Sequence, residues 1–172
     1  AIVGTTAERL LGRCHGPVLV VGTPAHEPYR SVLVAVDLLP GSDNGLAAAA
    51  RIAPAAKLTA VHAYEVVFEG ALGRAGVQAD EIERHRAHVF QQALAAIRRL
   101  SEGATGDPHR FLPMVERGDG AALILEREES LGADLVVISQ RTRSAVEALL
   151  LGSVTRHVLA DTKADVLVVP EA

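Results

Sequence analysis

The polar residues placed where they could act on a ligand are few, and they fall at the ends of apolar runs. Asp37 closes the run from Ser31 to Val36, and Ser139 closes the run from Leu135 to Ile138. Gly152-Ser153 opens a short helical pattern, where free backbone N–H groups and a hydroxyl can face an anion. Such groups hold a ligand; they do not supply a nucleophile with its base. No serine sits in a Gly-x-Ser-x-Gly elbow, and no His-Asp pattern supports hydrolysis. His85 and His88 could share one helix face as metal ligands, but their helix is rich in Arg, which favours a solvated face. His62 lies in an apolar run, where a core histidine is the default, and Cys14 has no motif around it. Arg98-Arg99 and the cluster from Glu126 to Glu129 read as surface charge. The expectation is a binding chain without catalytic residues or a metal, and not an enzyme.

The elements that must position these groups are legible from periodicity. Apolar, β-branched runs at 18–21, 31–36, 58–63, 135–138 and 166–169 fit strands buried on both faces, as in a parallel sheet. The run 111–115 is interrupted by Pro113, which suggests an edge strand. Helical patterns lie between them. The first, Ser42–Ala53, opens on Ser42 or Asp43 as N-cap and ends at Pro54. The second, Gln78–Ser101, carries the apolar stripe Ile82, Val89, Ala93, Ile97 and Leu100. Two shorter ones, Asp119–Leu131 and Ser153–Asp161, follow. From Ser31 onward strand and helix alternate strictly, which implies an open, doubly wound α/β fold. In such a sheet a ligand sits beyond the C-terminal strand ends where the strand order reverses, and Asp37 and Ser139 close two of the strands at such ends.

Composition narrows the class. The chain has 172 residues, 49% hydrophobic and 22% charged, so it can fill a core and is not disordered. A net charge of -4 gives no support for nucleic-acid binding through phosphate contacts. No apolar run approaches the ~18–20 residues that cross a bilayer, and no basic-then-apolar leader is seen, so no membrane partner is expected. A lone cysteine points to a reducing, cytoplasmic setting. Aromatics are only 3%, so the layers must close on small aliphatic side chains.

The start of the chain repeats its end. The stretch from Gly4-Thr5 through Leu11 to Val18–Val21 aligns without gaps on Gly152-Ser153 through Leu159 to Val166–Val169. Both copies read glycine, hydroxyl residue, short helix, four-residue apolar strand. Residues 1–22 are therefore expected to be the closing helix and strand of a preceding copy of the domain. Residues 23–30, with two prolines, read as a linker, and 31–172 as one domain.

The segment Leu149-Leu150-Leu151-Gly152-Ser153-Val154-Thr155-Arg156-His157-Val158-Leu159, followed by Ala164–Pro170, resembles the C-terminal signature of the universal stress protein family. Val32–Asp37 and Leu58–Ala63 are similar to that family's first two strands, and Val115-Glu116-Arg117-Gly118 to its third-strand exit. The resemblance spans Ser31 to Glu171. It implies a five-stranded parallel sheet in order 3-2-1-4-5, of the adenine nucleotide alpha-hydrolase-like type. It also implies dimers or tandem pseudo-dimers and, in many members, ATP binding. The family's nucleotide-binding branch uses Gly-x2-Gly-x9-Gly-Ser/Thr; here Ser139 and Thr142 stand where its first two glycines fall, and Gly152-Ser153 keeps the rest. Ser and Thr add a Cβ where the family brings bare backbone against phosphate. Arg143 matches a position that is often basic, Asp37 would contact the nucleoside, and the Ala63 backbone the adenine edge. The implied function is stress regulation through dimerisation, with ATP as a weakly held cofactor on a degenerate loop. Two alternatives are a family member that has lost the nucleotide and serves as a protein-interaction domain, and a fold-related nucleotide-dependent enzyme. The enzyme would need a Ser-Gly-Gly-x-Asp-Ser loop where this chain has Asp37-Leu38-Leu39-Pro40-Gly41-Ser42. The partner surface is expected to be the strand 166–169 against 18–21, within one chain or across a homodimer.

Overall fold

The computed structural model describes residues 11, 14, 16–22, 27–64, 78–140 and 152–170. In chain order they form β1 (Val18–Val20), β2 (Ser31–Ala35), α1 (Ser42–Ile52), β3 (Lys57–Tyr64), α2 (Ala79–Thr105), β4 (Leu112–Arg117), α3 (Gly120–Leu131), β5 (Leu135–Gln140), α4 (Ser153–Asp161) and β6 (Asp165–Pro170). One sheet runs β1-β6-β5-β2-β3-β4. All neighbours from β2 to β6 pair in parallel, and counted from β2 their order is 3-2-1-4-5, as expected. The strand count is six rather than five. β1 adds itself outside β6, antiparallel, with Val18, Leu19 and Val20 opposite Val168, Leu167 and Val166.

Alternation along the buried strands feeds two cores. Val32, Val34, Leu135, Val137, Leu167 and Val169 face α1 and α2, where Leu46, Ala49, Ala93, Ile97 and Phe111 meet them. The intervening Leu33, Val136, Ile138, Val166 and Val168 face α3 and α4, against Leu123, Ile124, Val158 and Leu159. Leu11 is buried in this second core; the rest of the expected helix before it lies outside the described residues.

Element ends follow local chemistry. The first helix is capped by Gly41 at φ 95, not by Ser42 or Asp43, because Ser42 turns inward to bond its own loop. The second helix runs on to Thr105 and stops at Gly106, whose φ of 77 suits a residue without a Cβ. Asp119 caps α3, accepting from the Ala122 N–H at 2.9 Å. β4 lies at the sheet edge as Pro113 suggested. The Gly118 N–H donates to Tyr64 O, so Leu112, Met114 and Glu116 turn their backbone groups to β3 and Pro113 faces outward. A proline there removes a donor from the free edge.

Carboxylates fasten the connections. Buried Glu128 on α3 accepts from Thr162 Oγ1 (2.7 Å) and from the N–H groups of Lys163 and Ala164 (2.8 and 3.0 Å), fixing the α4–β6 turn. At the N-terminal strand ends Asp134 accepts from the N–H groups of Arg30 and Ser31. Asp165 accepts from Gly22 N–H (2.9 Å) and from Tyr29 Oη–H (2.7 Å).

Candidate functional site

The strand order reverses between β2 and β5, and the polar groups beyond their C-terminal ends compose the candidate site. Asp37 stands just past β2. Its Oδ1 accepts from the Leu39 N–H at 3.0 Å and from Ser42 Oγ at 2.5 Å, and Ser42 Oγ also reaches Leu39 O at 2.8 Å. This carboxylate turn holds Leu38 at φ 61, a left-handed conformation uncommon for a branched residue. Asp37 thus has a loop to order, whatever else it meets.

Ala63 is near the end of β3. The Val36 N–H donates to Val61 O, so alternation aims the Ala63 backbone groups to the same side, past the last residue of β2. The carbonyl they would otherwise meet, Val36 O, instead accepts from His62 Nδ1–H at 2.8 Å. His62 was expected as a core histidine; it is half-buried and ties the end of β3 to the chain leaving β2. On the other face, a Cβ on Gly120 would lie 3.9 Å from Ala63 Cβ and 3.8 Å from Val154 Cγ2. The starts of α3 and α4 therefore meet the end of β3.

Gly152 is the N-cap of α4 and, as a glycine, offers no side-chain cap to the N–H groups of the first turn. Both Gly152 and Ser153 are exposed. Ser139 behaves differently. Its Oγ is buried with no hydrogen-bond partner among the described residues, and it lies 2.6 Å from where a Cβ on Gly45 would stand. The hydroxyl is turned into the α1 layer, and the room it uses exists because α1 carries a glycine. Thr142 and Arg143 lie outside the described residues. Asp37, Ala63, Gly152 and Ser153 thus all lie at the C-terminal strand ends, while the Ser139 side chain turns into the α1 layer.

Gly45 and His62 are the positions whose part in this arrangement sequence reasoning missed. A glycine inside an Ala-rich helix was a usable signal, since it costs helix stability unless something needs the space. Among the described residues no group of histidine, cysteine and carboxylates could hold a metal ion, and no helix is long and apolar enough to cross a membrane. His85 and His88 are exposed on α2.

Comparison with known proteins agrees with this fold. Residues 28–170 match the model of the universal stress protein family. Universal stress protein A homolog 2 of Coxiella burnetii is 32% identical over 147 residues, covering 82% of this chain and 94% of that protein. Universal stress protein Rv1996 of Mycobacterium tuberculosis is 31% identical over 176 residues, covering 98% of this chain and 53% of that one, so the chain spans about half of this longer relative. Among solved structures, a universal stress protein in complex with cAMP aligns with a TM-score of 0.57 at 24% identity, over 85% of this chain and all of its own (100%). A universal stress protein from Archaeoglobus fulgidus aligns at 0.66 and 19% identity, over 100% of this chain and 57% of its own. At these identities the structures speak for the fold.

Proposed function

The chain belongs to the universal stress protein family, and from that premise we propose that it is a regulatory domain, not an enzyme, that binds an adenine nucleotide at the C-terminal ends of β2 and β5 and acts through strand-mediated pairing. What supports the nucleotide reading is that three kinds of group lie at the C-terminal strand ends. They are the Ala63 backbone beyond the end of β2, the Asp37 carboxylate, and the glycine-capped start of α4 at Gly152-Ser153. Backbone donors and acceptors suit an adenine edge, a carboxylate suits ribose hydroxyls, and a helix N-terminus suits phosphate. A relative of this fold holds cAMP, which fits the same chemistry.

The phosphate end is the weaker one. Ser139 and Thr142 replace two glycines of the family loop, and the Ser139 hydroxyl is committed to the α1 layer. Binding energy then comes chiefly from the adenosine part, and ATP and AMP should bind within a few-fold of each other. Calorimetry with Mg-ATP and with AMP tests this. Absence of heat at millimolar nucleotide removes the nucleotide reading. A preference for ATP of a hundred-fold or more removes the assignment of the weaker end.

The second reading, pairing without nucleotide, is favoured by the β1–β6 ladder. We infer that this ladder is the joint between two copies of the domain, in tandem or across a homodimer. The internal repeat and the half-length match to the mycobacterial relative support it. Cysteines at Leu19 and Leu167, with Cys14→Ser, separate the two arrangements on oxidation. A monomer cross-linked internally supports pairing in cis, a covalent dimer supports pairing across chains, and failure to cross-link overturns the joint.

A further inference from the structure

A second surface lies at the opposite end of the sheet from the nucleotide reading and is independent of it. Lys57 and Leu58 at the start of β3, Arg98 on α2, and 108–113 at the start of β4 enclose an open groove of about 420 Å³. Its lining holds Lys57, Arg98, His109 and Arg110 and not one carboxylate. That is unexpected on a chain of net charge -4. Lys57 and Arg98 are exposed and form no ion pair with any described residue. Arg110 is half-buried and held in place, but only by carbonyls. Its guanidinium donates to Pro54 O at 2.7 Å and to Ala56 O at 3.2 and 3.3 Å. Carbonyls fix a guanidinium without neutralising it, so its charge is positioned and has no counter-ion among the described residues. Asp107, the nearest carboxylate in sequence, is outside the lining and accepts from the His109 N–H at 2.8 Å.

The other lining residues, Leu58, Pro108, Phe111, Leu112 and Pro113, are apolar. Leu112 is 50% exposed, the largest exposure of any large hydrophobic residue described, and Pro108 and Pro113 flank it. A small anion such as phosphate would want converging donors and no such apolar lining. A strand added to β4 is disfavoured here because outward-facing Pro113 has no N–H to offer. What fits cations spaced around exposed apolar side chains is a segment that carries carboxylates beside an apolar residue. We propose that this groove docks an acidic, leucine-bearing segment of a partner protein, through side chains and not through strand addition. Like charge on the remainder of the molecule repels such a segment elsewhere, which confines it to this end.

The test uses the whole chain and a fluorescein-labelled peptide of Glu and Asp interspersed with Leu, read by anisotropy at low salt. Binding is expected, with affinity falling about ten-fold or more for Lys57→Glu with Arg98→Glu, and also at 500 mM salt. Both substituted side chains are exposed, and an unchanged melting curve confirms that the fold persists. Leu112→Ser should also weaken binding, while nucleotide binding stays as it was in every variant. Four results overturn the proposal: no binding, equal binding by the charge-reversed chain, equal binding of a peptide with Ser for Leu, or displacement by inorganic phosphate at concentrations comparable to the peptide.

Discussion

Ser139 shows why one residue can be placed correctly in sequence and still act differently in space. Its position at the end of β5 was legible from the apolar run before it. The face its hydroxyl takes depends on alternation from Leu135 and Val137, which point to the α1 layer, and on which helices cover that face. The second condition is tertiary, so the sequence pattern leaves the hydroxyl's direction open. A buried hydroxyl without a partner costs free energy, typically about 1–3 kcal/mol against a satisfied one. Ser139→Ala is therefore expected to stabilise the fold by about 1 kcal/mol, seen as a higher urea midpoint with unchanged slope, and to leave nucleotide affinity as it is. A loss of stability would mean that the hydroxyl is bonded. Asp37 gives the opposite case. Asp37→Ala removes the acceptor that holds Leu38 at φ 61, and should cost about 1–2 kcal/mol even without nucleotide. Tyr29 is a third. Burial, then the hydrogen bond to Asp165, then the charges of Asp165 and Asp134 push its ionisation well above the ordinary range of about 10. A group raised in the folded state stabilises it below the unfolded value and loses that contribution as pH climbs toward the folded one. Asp165→Asn should bring the Tyr29 midpoint down in a 295 nm titration.

At the scale of elements the strands were the most legible part, because a run buried on both faces must be apolar throughout. β2, β5 and β6 fall where Val and Ile cluster. Helix ends were less so. Ser42 and Asp43 both have good capping chemistry, yet Gly41 takes the position because Ser42 is drawn inward by Asp37. Glu128 was hidden for a related reason: within a cluster of acidic residues nothing in the pattern marks the one that is buried. It is 6% exposed and satisfies three donors from the α4–β6 turn. Glu128→Ala strands all three and is expected to cost about 2–4 kcal/mol, with Glu128→Gln costing less because its carbonyl can still accept. Equal losses for the two would show that shape, not hydrogen bonding, holds the turn. Thermal or urea unfolding of the two variants decides it.

For the molecule as a whole, the alternation of strand and helix was enough to give a parallel, doubly wound sheet, the family resemblance implied its strand order, and the sixth strand was assigned to a separate unit. The repeat pointed to β1 as something other than linker, and the sheet shows where those residues go. Removing residues 1–21 should uncover the β6 edge and leave Val166 and Val168 with a strand neighbour on the β5 side alone. Sedimentation is expected to show concentration-dependent dimers, and a strictly monomeric truncated chain would argue that the β6 edge is not an association surface. The two margins of the sheet are also unlike. At β4 the outward-facing Pro113 discourages any further strand, whereas at β1 Leu19 and Val21 stand 38% and 46% exposed. Growth by strand addition thus has a direction. With the β4 rim stopped, copies joined through the β1–β6 ladder form a closed pair that has no second strand edge by which to grow into a fibre.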